Sequence, residues 1–314
     1  MRTLRTRPRP RRLLPEAILL ATLLLAAACG SDDSAADDPP SDRGTLRIGA
    51  IPDQDPEILA RNFGLVADYL SAALDVDVEF VPVVDYPAAV TLFSAGDLDL
   101  VWFGGLTGVQ ARLETPGAEV IAERDIDQTF RSVFIANAAS GIEPVDDVEA
   151  LDVVAGRRFT FGSESSTSGR LMPQYFLAQA GVTDESFAGA PGFSGSHDKT
   201  IELVEAGTFE AGVLNEQVWL ARLEDGSVDE AKVEVIFQSP TYHDYHWILQ
   251  PDAAARLGDG FADKVRRALT ELSTDDPEEA AILELFGAEA FVPASPDNYT
   301  EIEQIGRDLG LITG

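Results

Sequence analysis

The chain runs Phe161-Gly162-Ser163-Glu164-Ser165-Ser166-Thr167-Ser168-Gly169 where an apolar, strand-like run, 158–161, meets an amphipathic segment, 171–180. A strand that enters a helix through Ser, Thr and Gly gathers unpaired backbone N–H groups and hydroxyl groups at one point. The positive end of the helix dipole lies there too and favours anions. One hydroxyl would be enough to cap the helix, and this stretch has four in a row. The pattern therefore predicts a strand-to-helix junction that is either a helix cap or an anion site.

Short apolar runs alternate with helical patterns from Thr45 onward. A helix is predicted to begin at Asp55-Pro56-Glu57, because a capping Asp and a Pro in the first turn are typical of helix starts. Its apolar residues recur at spacings of four and three and mark one buried face: Leu59, Phe63, Val66, Leu70 and Leu74. Further runs predict strands at 46–51, 76–80 and 98–103 and a helix at 86–95. Repeated β-α-β units predict an α/β fold with largely parallel sheets and helices on both faces.

The same pattern recurs later in the chain, which predicts two lobes of related design. Ala95-Gly96-Asp97-Leu98-Asp99 and Ala206-Gly207-Thr208-Phe209-Glu210 each end a helix and begin a strand. We expect residues 131–137 to cross from the first lobe to the second, and residues 233–249 to return. The predicted bounds are 45–134 plus 240–314 for lobe 1 and 135–239 for lobe 2. Ligands of open α/β sheets bind at the carboxyl ends of the strands, so the cleft between the lobes is the predicted ligand site.

The first 28 residues are predicted to be a signal peptide. Six arginines precede an uncharged apolar run, 17–28, that is too short to cross a membrane as a helix. The small residues before Cys29 resemble a bacterial lipobox, although Leu is commoner than Ala26 at its position, and this resemblance implies cleavage before Cys29 and acylation of its thiol. The polar, acidic segment 29–44 is predicted to be a disordered tether. The folded part would then be anchored at the extracytoplasmic face of the cell membrane.

The chain is strongly acidic, with a formal net charge of −31. Without the six arginines and Glu16 of the leader, 17 basic and 53 acidic residues remain, which gives −36. This charge excludes nucleic acid as a partner, since phosphate backbones need a basic surface. An anionic ligand would have to be held by local donors against the field of the whole molecule. Because Cys29 is the only cysteine, a hydrophobic core rather than disulfides must hold the domain together.

Candidate ligand contacts lie where predicted strands end. Gly105 and Thr107 follow the third strand in a glycine-rich loop that suits close backbone approach to a ligand, although the glycines could serve the turn alone. Tyr86 begins the second helix, where its hydroxyl could enter the cleft or its ring could simply pack. His197 stands beside a predicted helix start and could donate to an anion, cap the helix or face solvent.

No catalytic, cofactor or metal site is predicted. The sequence has no G-x-S-x-G, H-E-x-x-H or P-loop pattern, and the only cysteine belongs to the lipobox. His197, His243 and His246 match no zinc signature in their spacing. We therefore expect a binding protein rather than an enzyme.

Several of these motifs occur in one order that resembles the substrate-binding proteins of phosphonate, phosphite and phosphate ABC transporters. The specific motifs are Ser166-Thr167-Ser168-Gly169 and Gly195-Ser196-His197-Asp198, and weaker ones are 47–53, 85–86, 99–104 and 131–133. Closer similarity is to a branch labelled as selenate transporter components. The resemblance implies a two-lobed type 2 periplasmic-binding-protein fold, with two crossover strands and an interlobe cleft that closes on an oxyanion.

The resemblance also implies roles for single residues. Ser166, Thr167 and Ser168 would hold ligand oxygens through hydroxyl and backbone N–H groups. Further contacts would come from Tyr86 and His197 on either side and from Thr107 or the Gly105 backbone in lobe 1. Asp244 lies where the family often has an acidic residue, which suits a ligand that carries a proton or an amine.

Two departures from the family pattern bear on the ligand. Phe130 stands where a tyrosine is expected, so one hydroxyl donor is missing. Asn215-Glu216-Gln217 covers the position at which aminoalkylphosphonate binders have a carboxylate. If Gln217 is the aligned residue, a small inorganic oxyanion is favoured over an aminophosphonate.

We therefore expect a monomeric, lipid-anchored receptor that delivers a small tetrahedral oxyanion, phosphonate, phosphite, phosphate or selenate, to an ABC permease and its ATPase. The alternative is a sensory module that reports its ligand to a membrane kinase, because such a module would use the same fold. A secreted enzyme on a binding-protein scaffold is the third reading, and it lacks any nucleophile or metal constellation.

Overall fold

The computed structural model describes residues 44–313, which form two mixed sheets surrounded by helices. The predicted signal peptide, Cys29 and the tether up to residue 43 lie outside the described residues. The strands are β1 (Leu46–Ala50), β2 (Val78–Phe80), β3 (Leu100–Phe103), β4 (Glu119–Arg124), β5 (Ser132–Asn137), β6 (Phe159–Phe161), β7 (Gly192–Phe193), β8 (Ala211–Asn215), β9 (Val233–Gln238), β10 (His246–Leu249) and β11 (Phe291–Pro293). The α-helices are α1 (Pro56–Leu74), α2 (Tyr86–Ser94), α3 (Gly105–Glu114), α4 (Met172–Gln179), α5 (His197–Glu205), α6 (Glu216–Glu224), α7 (Pro251–Leu257), α8 (Phe261–Thr270), α9 (Pro277–Leu285) and α10 (Thr300–Asp308). Within 44–313, no helix combines the length and apolar character needed to cross a membrane.

The two sheets share one strand order. The six-stranded sheet runs β2-β1-β3-β10-β4-β11, and the five-stranded sheet runs β7-β6-β8-β5-β9. Strands β2 and β7 each form one edge of their sheet. Strand β10, which arrives from the five-stranded sheet, lies between β3 and β4. Strand β5, which arrives from the six-stranded sheet, lies between β8 and β9. We call the half built on the six-stranded sheet lobe 1 and the half built on the five-stranded sheet lobe 2.

The sheets are mixed, whereas the sequence pattern predicted largely parallel ones. β1 is parallel to β2 and β3, and β6 is parallel to β7 and β8. β10 is antiparallel to both of its neighbours, and so is β5. These two strands belong to the crossovers between the lobes. They are therefore not joined to their sheet neighbours by the helical crossover that makes the strands of a β-α-β unit parallel.

Helix α1 shows how local sequence determines an element. The Asp55 carboxylate accepts hydrogen bonds from the Glu57 and Ile58 N–H groups, and Pro56 occupies the first helical position. The five apolar residues predicted to form its inner face are all buried. Each such side chain contributes about 1.5–3 kcal/mol by leaving water, which fixes the helix on the sheet. The predicted start and buried face of this helix are confirmed.

Strand β5 shows the period of two expected for a strand covered on both faces. Val133 and Ile135 pack into one apolar cluster, while Phe134 and Ala136 pack into the other, which is continuous with the core of lobe 1. The crossover strand is therefore held from both sides.

Loops at the carboxyl ends of strands from the two lobes meet across the cleft. The Thr167 hydroxyl, after β6, accepts a hydrogen bond from the Leu106 N–H in the first turn of α3, at 3.0 Å. The His197 N–H, at the start of α5, donates to the Asp53 carbonyl after β1, at 2.9 Å. The lobes are thus in contact at the place where the ligand site is predicted.

Candidate functional site

The first turn of α3 is one wall of the site. Its Gly105 N–H donates to one carboxylate oxygen of Asp244, at 2.9 Å, while the next N–H holds Thr167. A Cβ atom at Gly104 would lie 3.1 Å from the Thr167 hydroxyl and 3.3 Å from Asp244, so a larger residue here would crowd both side chains. The free N–H groups at the start of α3 therefore bind the side chains of Asp244 and Thr167.

The hydroxyl groups of the run, residues 165–168, differ in their hydrogen bonds. Ser166 caps the following helix, because its hydroxyl accepts from the Gly169 N–H at 2.9 Å. The helix opens with a wide turn in which the Leu171 N–H reaches back five residues to the Ser166 carbonyl, and such π-helical turns are common at functional sites. The Ser168 hydroxyl is buried and has no hydrogen-bond partner among residues 44–313. Ser166 therefore caps the helix, and the Ser168 hydroxyl is not used by the cap.

Ser132 and Tyr242, which belong to the two crossovers, hold the hydroxyl run in place through hydrogen bonds. The Ser132 hydroxyl donates to the Ser168 carbonyl at 2.8 Å, and Tyr242 lies 2.6 Å from the same hydroxyl. Since the Ser132 proton is used, the Tyr242 hydroxyl is the donor of the second bond. Burial raises the pKa of Tyr242 well above its ordinary value, so this hydroxyl keeps its proton. The run is thereby tied to the hinge between the lobes.

Tyr86 brings a second unpaired hydroxyl. Asp85 caps α2 by accepting from the Ala88 N–H at 2.7 Å, which fixes the first turn of the helix. The Tyr86 side chain is buried, and its hydroxyl has no hydrogen-bond partner in the described part of the chain. Burial raises the pKa of Tyr86 well above its ordinary value, with further increments from the charges of Asp53 and Asp244. This hydroxyl is therefore a protonated donor close to the hydroxyl run.

Asp244 supplies a carboxyl group to the same region. It is 1% exposed, and its second carboxylate oxygen has no hydrogen-bond partner within the described residues. Burial raises the pKa of Asp244 to about 7, and the hydrogen bond from the Gly105 N–H limits the rise. Near neutral pH this group can therefore either accept a proton from a ligand or donate one to it.

His197 belongs to a network between the lobes. Its Nδ1 lies 3.4 Å from the Asn215 N–H and its Nε2 lies 3.4 Å from the Tyr245 hydroxyl. That hydroxyl donates to Asp53 at 2.8 Å and accepts from the Asn215 side-chain amide at 2.9 Å. Burial lowers the pKa of His197 to about 4, so the ring is neutral, and the network fits the tautomer with its proton on Nε2. Both ring nitrogens thus face protein groups, and direct contact of His197 with a ligand stays a prediction.

Asp53 and Tyr245 complete this network, and the sequence reasoning missed both. Burial raises the pKa of Asp53 to about 6. The guanidinium of Arg124 lies 5.0 Å from the centre of the Tyr245 ring and forms a buried ion pair with Asp127, at 2.7 Å. The available signals were the place of Asp53 directly after a predicted strand and the place of Tyr245 in an aromatic, polar run.

Thr107 and Gln217 were also predicted to contact the ligand. The Thr107 hydroxyl donates to the Gly104 carbonyl at 3.2 Å, inside α3. Gln217 lines a cavity of about 220 Å³ between α1, α6 and α9, whose lining also includes Asp53 and Tyr245. Ligand contacts by these two predicted residues stay predictions.

The site as a whole is suited to an anion that carries a proton. Among the buried polar atoms that have no hydrogen-bond partner within residues 44–313 are one each on Tyr86, Ser168 and Asp244. The first N–H groups of the helix at Thr167 add further donors, since such groups have no partner inside the helix. Two hydroxyl donors and one carboxyl group can satisfy a small oxyanion with one protonated oxygen. Across the described range, no group of three or more His, Cys, Asp or Glu side chains is arranged to hold a metal ion.

Comparison with known proteins places the chain among transport proteins. A family model described as "ABC transporter, phosphonate, periplasmic substrate-binding protein" matches residues 48–299. The chain is 47% identical over 273 residues to the "Probable ABC transporter phosphite binding protein PhnD1" of Prochlorococcus marinus (strain MIT 9301), covering 87% of this chain and 92% of the relative. It is 28% identical over 206 residues to the "Phosphate-import protein PhnD" of Mycolicibacterium smegmatis, covering 62% of this chain and 63% of the relative.

Solved structures agree with this placement. The structure of PhnD1 from Prochlorococcus marinus in complex with methylphosphonate matches with a TM-score of 0.84 and 47% identity, covering 85% of this chain and 99% of the other. A binding protein component of an ABC phosphonate transporter from Pseudomonas aeruginosa matches with a TM-score of 0.71 and 20% identity, covering 84% and 86%. The second likeness concerns the fold alone.

Proposed function

This chain belongs to the family of periplasmic substrate-binding proteins of phosphonate ABC transporters, and from that membership we propose that it binds a small tetrahedral oxyanion with one proton, such as phosphite or methylphosphonate. It is the substrate-binding component of an ABC importer and not an enzyme. The observation that carries the proposal is that Tyr86, Ser168 and Asp244 each have a buried polar atom without a hydrogen-bond partner among the described residues. Asp244 and Thr167, the neighbour of Ser168, are held by consecutive N–H groups of α3.

The two hydroxyls and the helix N–H groups supply the attraction in this proposal. Tyr86 and Ser168 donate to unprotonated oxygens of the ligand, and each charge-assisted hydrogen bond contributes about 1.5–3 kcal/mol. The bonds are strong because the groups are buried and are fixed before the ligand arrives. The proposal relies on neutral donors, because the buried guanidinium of Arg124 is already paired with Asp127.

Asp244 selects for a proton in this proposal. An ionised carboxylate repels a fully ionised oxyanion, whereas a carboxylate that accepts from a P–OH group attracts it. A pKa of about 7 allows Asp244 to share one proton with the ligand near neutral pH. Ligands that bring a proton, namely phosphite, hydrogenphosphate and monoanionic phosphonates, should bind more tightly than selenate or sulfate.

The small size of the ligand is supported by the walls of the site. Asp53 and Asn215 are each hydrogen-bonded to the Tyr245 hydroxyl, and all three residues line the cavity that contains Gln217. A long substituent on phosphorus would have to displace this network, whereas a hydrogen atom or a methyl group would not. The relative that is 47% identical has been solved with methylphosphonate, which fits this limit.

Isothermal titration with methylphosphonate, phosphite, phosphate, selenate and sulfate tests the proposal. We expect phosphite or methylphosphonate to bind with submillimolar affinity and more tightly than selenate. In Asp244→Asn, affinity for phosphite should fall while affinity for selenate stays the same or rises, because the repulsive charge is gone. Absence of heat with all five anions would overturn the oxyanion site. An unchanged ratio of phosphite to selenate affinity in the variant would show that Asp244 does not discriminate between protonated and fully ionised ligands.

The pH dependence of selenate binding tests the role of Asp244 separately. Selenate stays fully ionised over the neutral range, so any proton needed for binding must come from Asp244. The affinity of the wild type for selenate should fall about tenfold per pH unit between about pH 7 and pH 9, because binding requires the protonated carboxyl. In Asp244→Asn the affinity should be flat over the same range. A flat wild-type profile would contradict the assignment.

The chain is also proposed to be a monomeric lipoprotein at the extracytoplasmic face of the membrane. The support is in the sequence: a basic leader and an apolar run end in small residues directly before Cys29, and a polar segment follows. Metabolic labelling with a fatty acid should label the wild type, and Cys29→Ser should remain unlabelled and leave the membrane fraction. A labelled Cys29→Ser protein would overturn the anchor without affecting the ligand proposal.

A further inference from the structure

Two helix N-termini from different lobes meet at Asp198. Helix α1 of lobe 1 begins after Asp55, and helix α5 of lobe 2 begins at His197. The Asp198 carboxylate lies between them and accepts a hydrogen bond from the Asp55 N–H, at 2.7 Å. A negative group at this point is favourable for both helix dipoles. This bond crosses from one lobe to the other.

The other oxygen of the same carboxylate is held within lobe 2. The Arg222 guanidinium on α6 donates to it at 2.6 Å, and the two side chains are 14% and 16% exposed for Arg222 and Asp198. Arg222 also forms an ion pair with Asp225, at 3.1 Å, and Asp225 is half exposed. The hydrogen bond with Asp198 is the main cause of a raised pKa for Arg222. Asp198 is therefore held in place by its own lobe and presented to the other.

A backbone bond next to Asp198 joins the same two segments. The His197 N–H donates to the Asp53 carbonyl, at 2.9 Å. The first turn of α5 is thus attached at two points to residues 53–55 of lobe 1. Neither point includes the unpaired groups on Tyr86, Ser168 and Asp244.

We propose that Asp198 is a positioning residue that holds the lobes together and thereby sets how long the bound oxyanion is retained. This inference rests on the proposed function of the cleft but concerns a different set of atoms. Opening the cleft breaks the bond to the Asp55 N–H and leaves the bond to Arg222 intact, because Arg222 and Asp198 both belong to lobe 2. The interlobe bond therefore stabilises only the closed arrangement.

The kinetic consequence follows from this asymmetry. A ligand leaves through an opened cleft, so an interaction that exists only in the closed arrangement slows dissociation and has little effect on the encounter. A hydrogen bond to a charged group is worth about one to two orders of magnitude in an equilibrium constant. The bond lies at an exposed site, where water competes for it, so its loss should raise the dissociation rate by up to about tenfold.

The experiment compares Asp198→Asn and Asp198→Ala with the matched control Asp225→Asn. The control removes the other acidic partner of the same arginine, but that partner makes no contact between the lobes in the described structure. Association and dissociation rates for methylphosphonate can be followed by stopped-flow tryptophan fluorescence, since Trp102 stacks on Tyr245 at 5.6 Å. Small-angle scattering of the ligand-free proteins measures lobe separation independently.

The expected order of dissociation rates is wild type and Asp225→Asn, then Asp198→Asn, then Asp198→Ala, because Asn retains an acceptor oxygen and Ala does not. Association rates should stay within about twofold. The ligand-free Asp198 variants should have a larger radius of gyration than the wild type. Equal dissociation rates in wild type and Asp198→Ala, or equal effects of the Asp225 and Asp198 substitutions, would overturn the proposal.

Failure of the proposed function would look different. If the wild type shows no saturable signal with methylphosphonate, phosphite or phosphate, the ligand assignment fails, while scattering still tests the contact between the lobes. A merely structural role for Asp198 would lower the melting temperature without altering the ratio of the two rates or the radius of gyration, and that result would contradict the inference.

Discussion

Ser166 and Ser168 are two residues apart and differ in what their hydroxyls can offer a ligand. The Ser166 hydroxyl already accepts from the Gly169 N–H, whereas the Ser168 hydroxyl is buried without a partner among residues 44–313. Burying an unpaired hydroxyl costs about 1–3 kcal/mol, and a ligand that pairs with it recovers this free energy on binding. The two serines should therefore respond differently to substitution.

We predict that Ser168→Ala weakens binding of methylphosphonate by about tenfold to a hundredfold, because one charge-assisted hydrogen bond is lost. The melting temperature of the ligand-free protein should stay the same or rise, since the substitution removes an unpaired buried hydroxyl. Titration calorimetry and thermal unfolding measure the two effects on the same samples. Unchanged affinity in this variant would remove Ser168 from the ligand site.

Ser166→Ala serves as the comparison for Ser168→Ala. Loss of an N-cap costs about 1 kcal/mol of stability, so this variant should unfold at a lower temperature without ligand. A lower melting temperature for Ser168→Ala than for Ser166→Ala would contradict the division between cap and ligand donor.

At the scale of elements, prediction from sequence succeeded where the cause was local. The start of α1 and its buried face depend on residues within a few positions of one another, and both predictions are confirmed. The antiparallel direction of β5 and β10 was not predicted, because each enters a sheet from the other lobe and no local pattern records that.

The candidate site was predictable only in part for the same reason. The hydroxyl run could be recognised from composition, since four hydroxyls exceed what a cap needs. The network of Asp53, Tyr245 and His197 could not be predicted in this way, because it exists only when the lobes meet. The bond from Tyr245 to Asp53 joins residues 192 positions apart. Such contacts are properties of the closed cleft rather than of any segment.

Helix α3 offers a test of how tightly one element is fitted to the site. A Cβ atom at Gly108 would lie 2.4 Å from the ring of His246, which is fully buried and stacked on Tyr299 at 3.7 Å. That ring also lies 3.1 Å from the Asp244 carbonyl. Gly108→Ala should destabilise the protein by about 1–3 kcal/mol through overpacking and should weaken ligand binding by displacing Asp244. Chemical denaturation and titration calorimetry measure the two effects.

Gly64→Ala is the matched control within α1. No atom lies within 4 Å of its added Cβ, so the substitution should stabilise the protein by about 0.5–1 kcal/mol through a less flexible unfolded chain. Affinity for the ligand should not change. Equal stability changes in the two variants would show that the contact between Gly108 and His246 does not matter.

At the scale of the whole molecule, the two sheets repeat one strand order, and each receives a crossover strand from the other lobe. Together with the structural relatives, this confirms the predicted two-lobed type 2 periplasmic-binding-protein fold. The crossovers that tie β5 and β10 into the sheets also support the candidate site, since Ser132 and Tyr242 hold the hydroxyl run. A hinge motion about these crossovers would therefore move the lobes and the proposed ligand donors together.

The charge of the whole molecule leads to a prediction opposite to the usual one for anion binding. An anion that approaches a protein with a formal charge of −31, or −36 without the leader, is repelled until it comes within reach of local donors. Added salt screens this repulsion over distances beyond about 8–10 Å but has little effect on buried hydrogen bonds. The association rate of methylphosphonate should therefore rise as ionic strength increases from about 10 to 200 mM, while the dissociation rate stays nearly constant.

Sodium gluconate, whose bulky anion does not fit the site, should be compared with sodium chloride to separate screening from competition. An association rate that falls with gluconate would mean that the local field at the cleft is attractive to anions and outweighs the charge of the rest of the molecule.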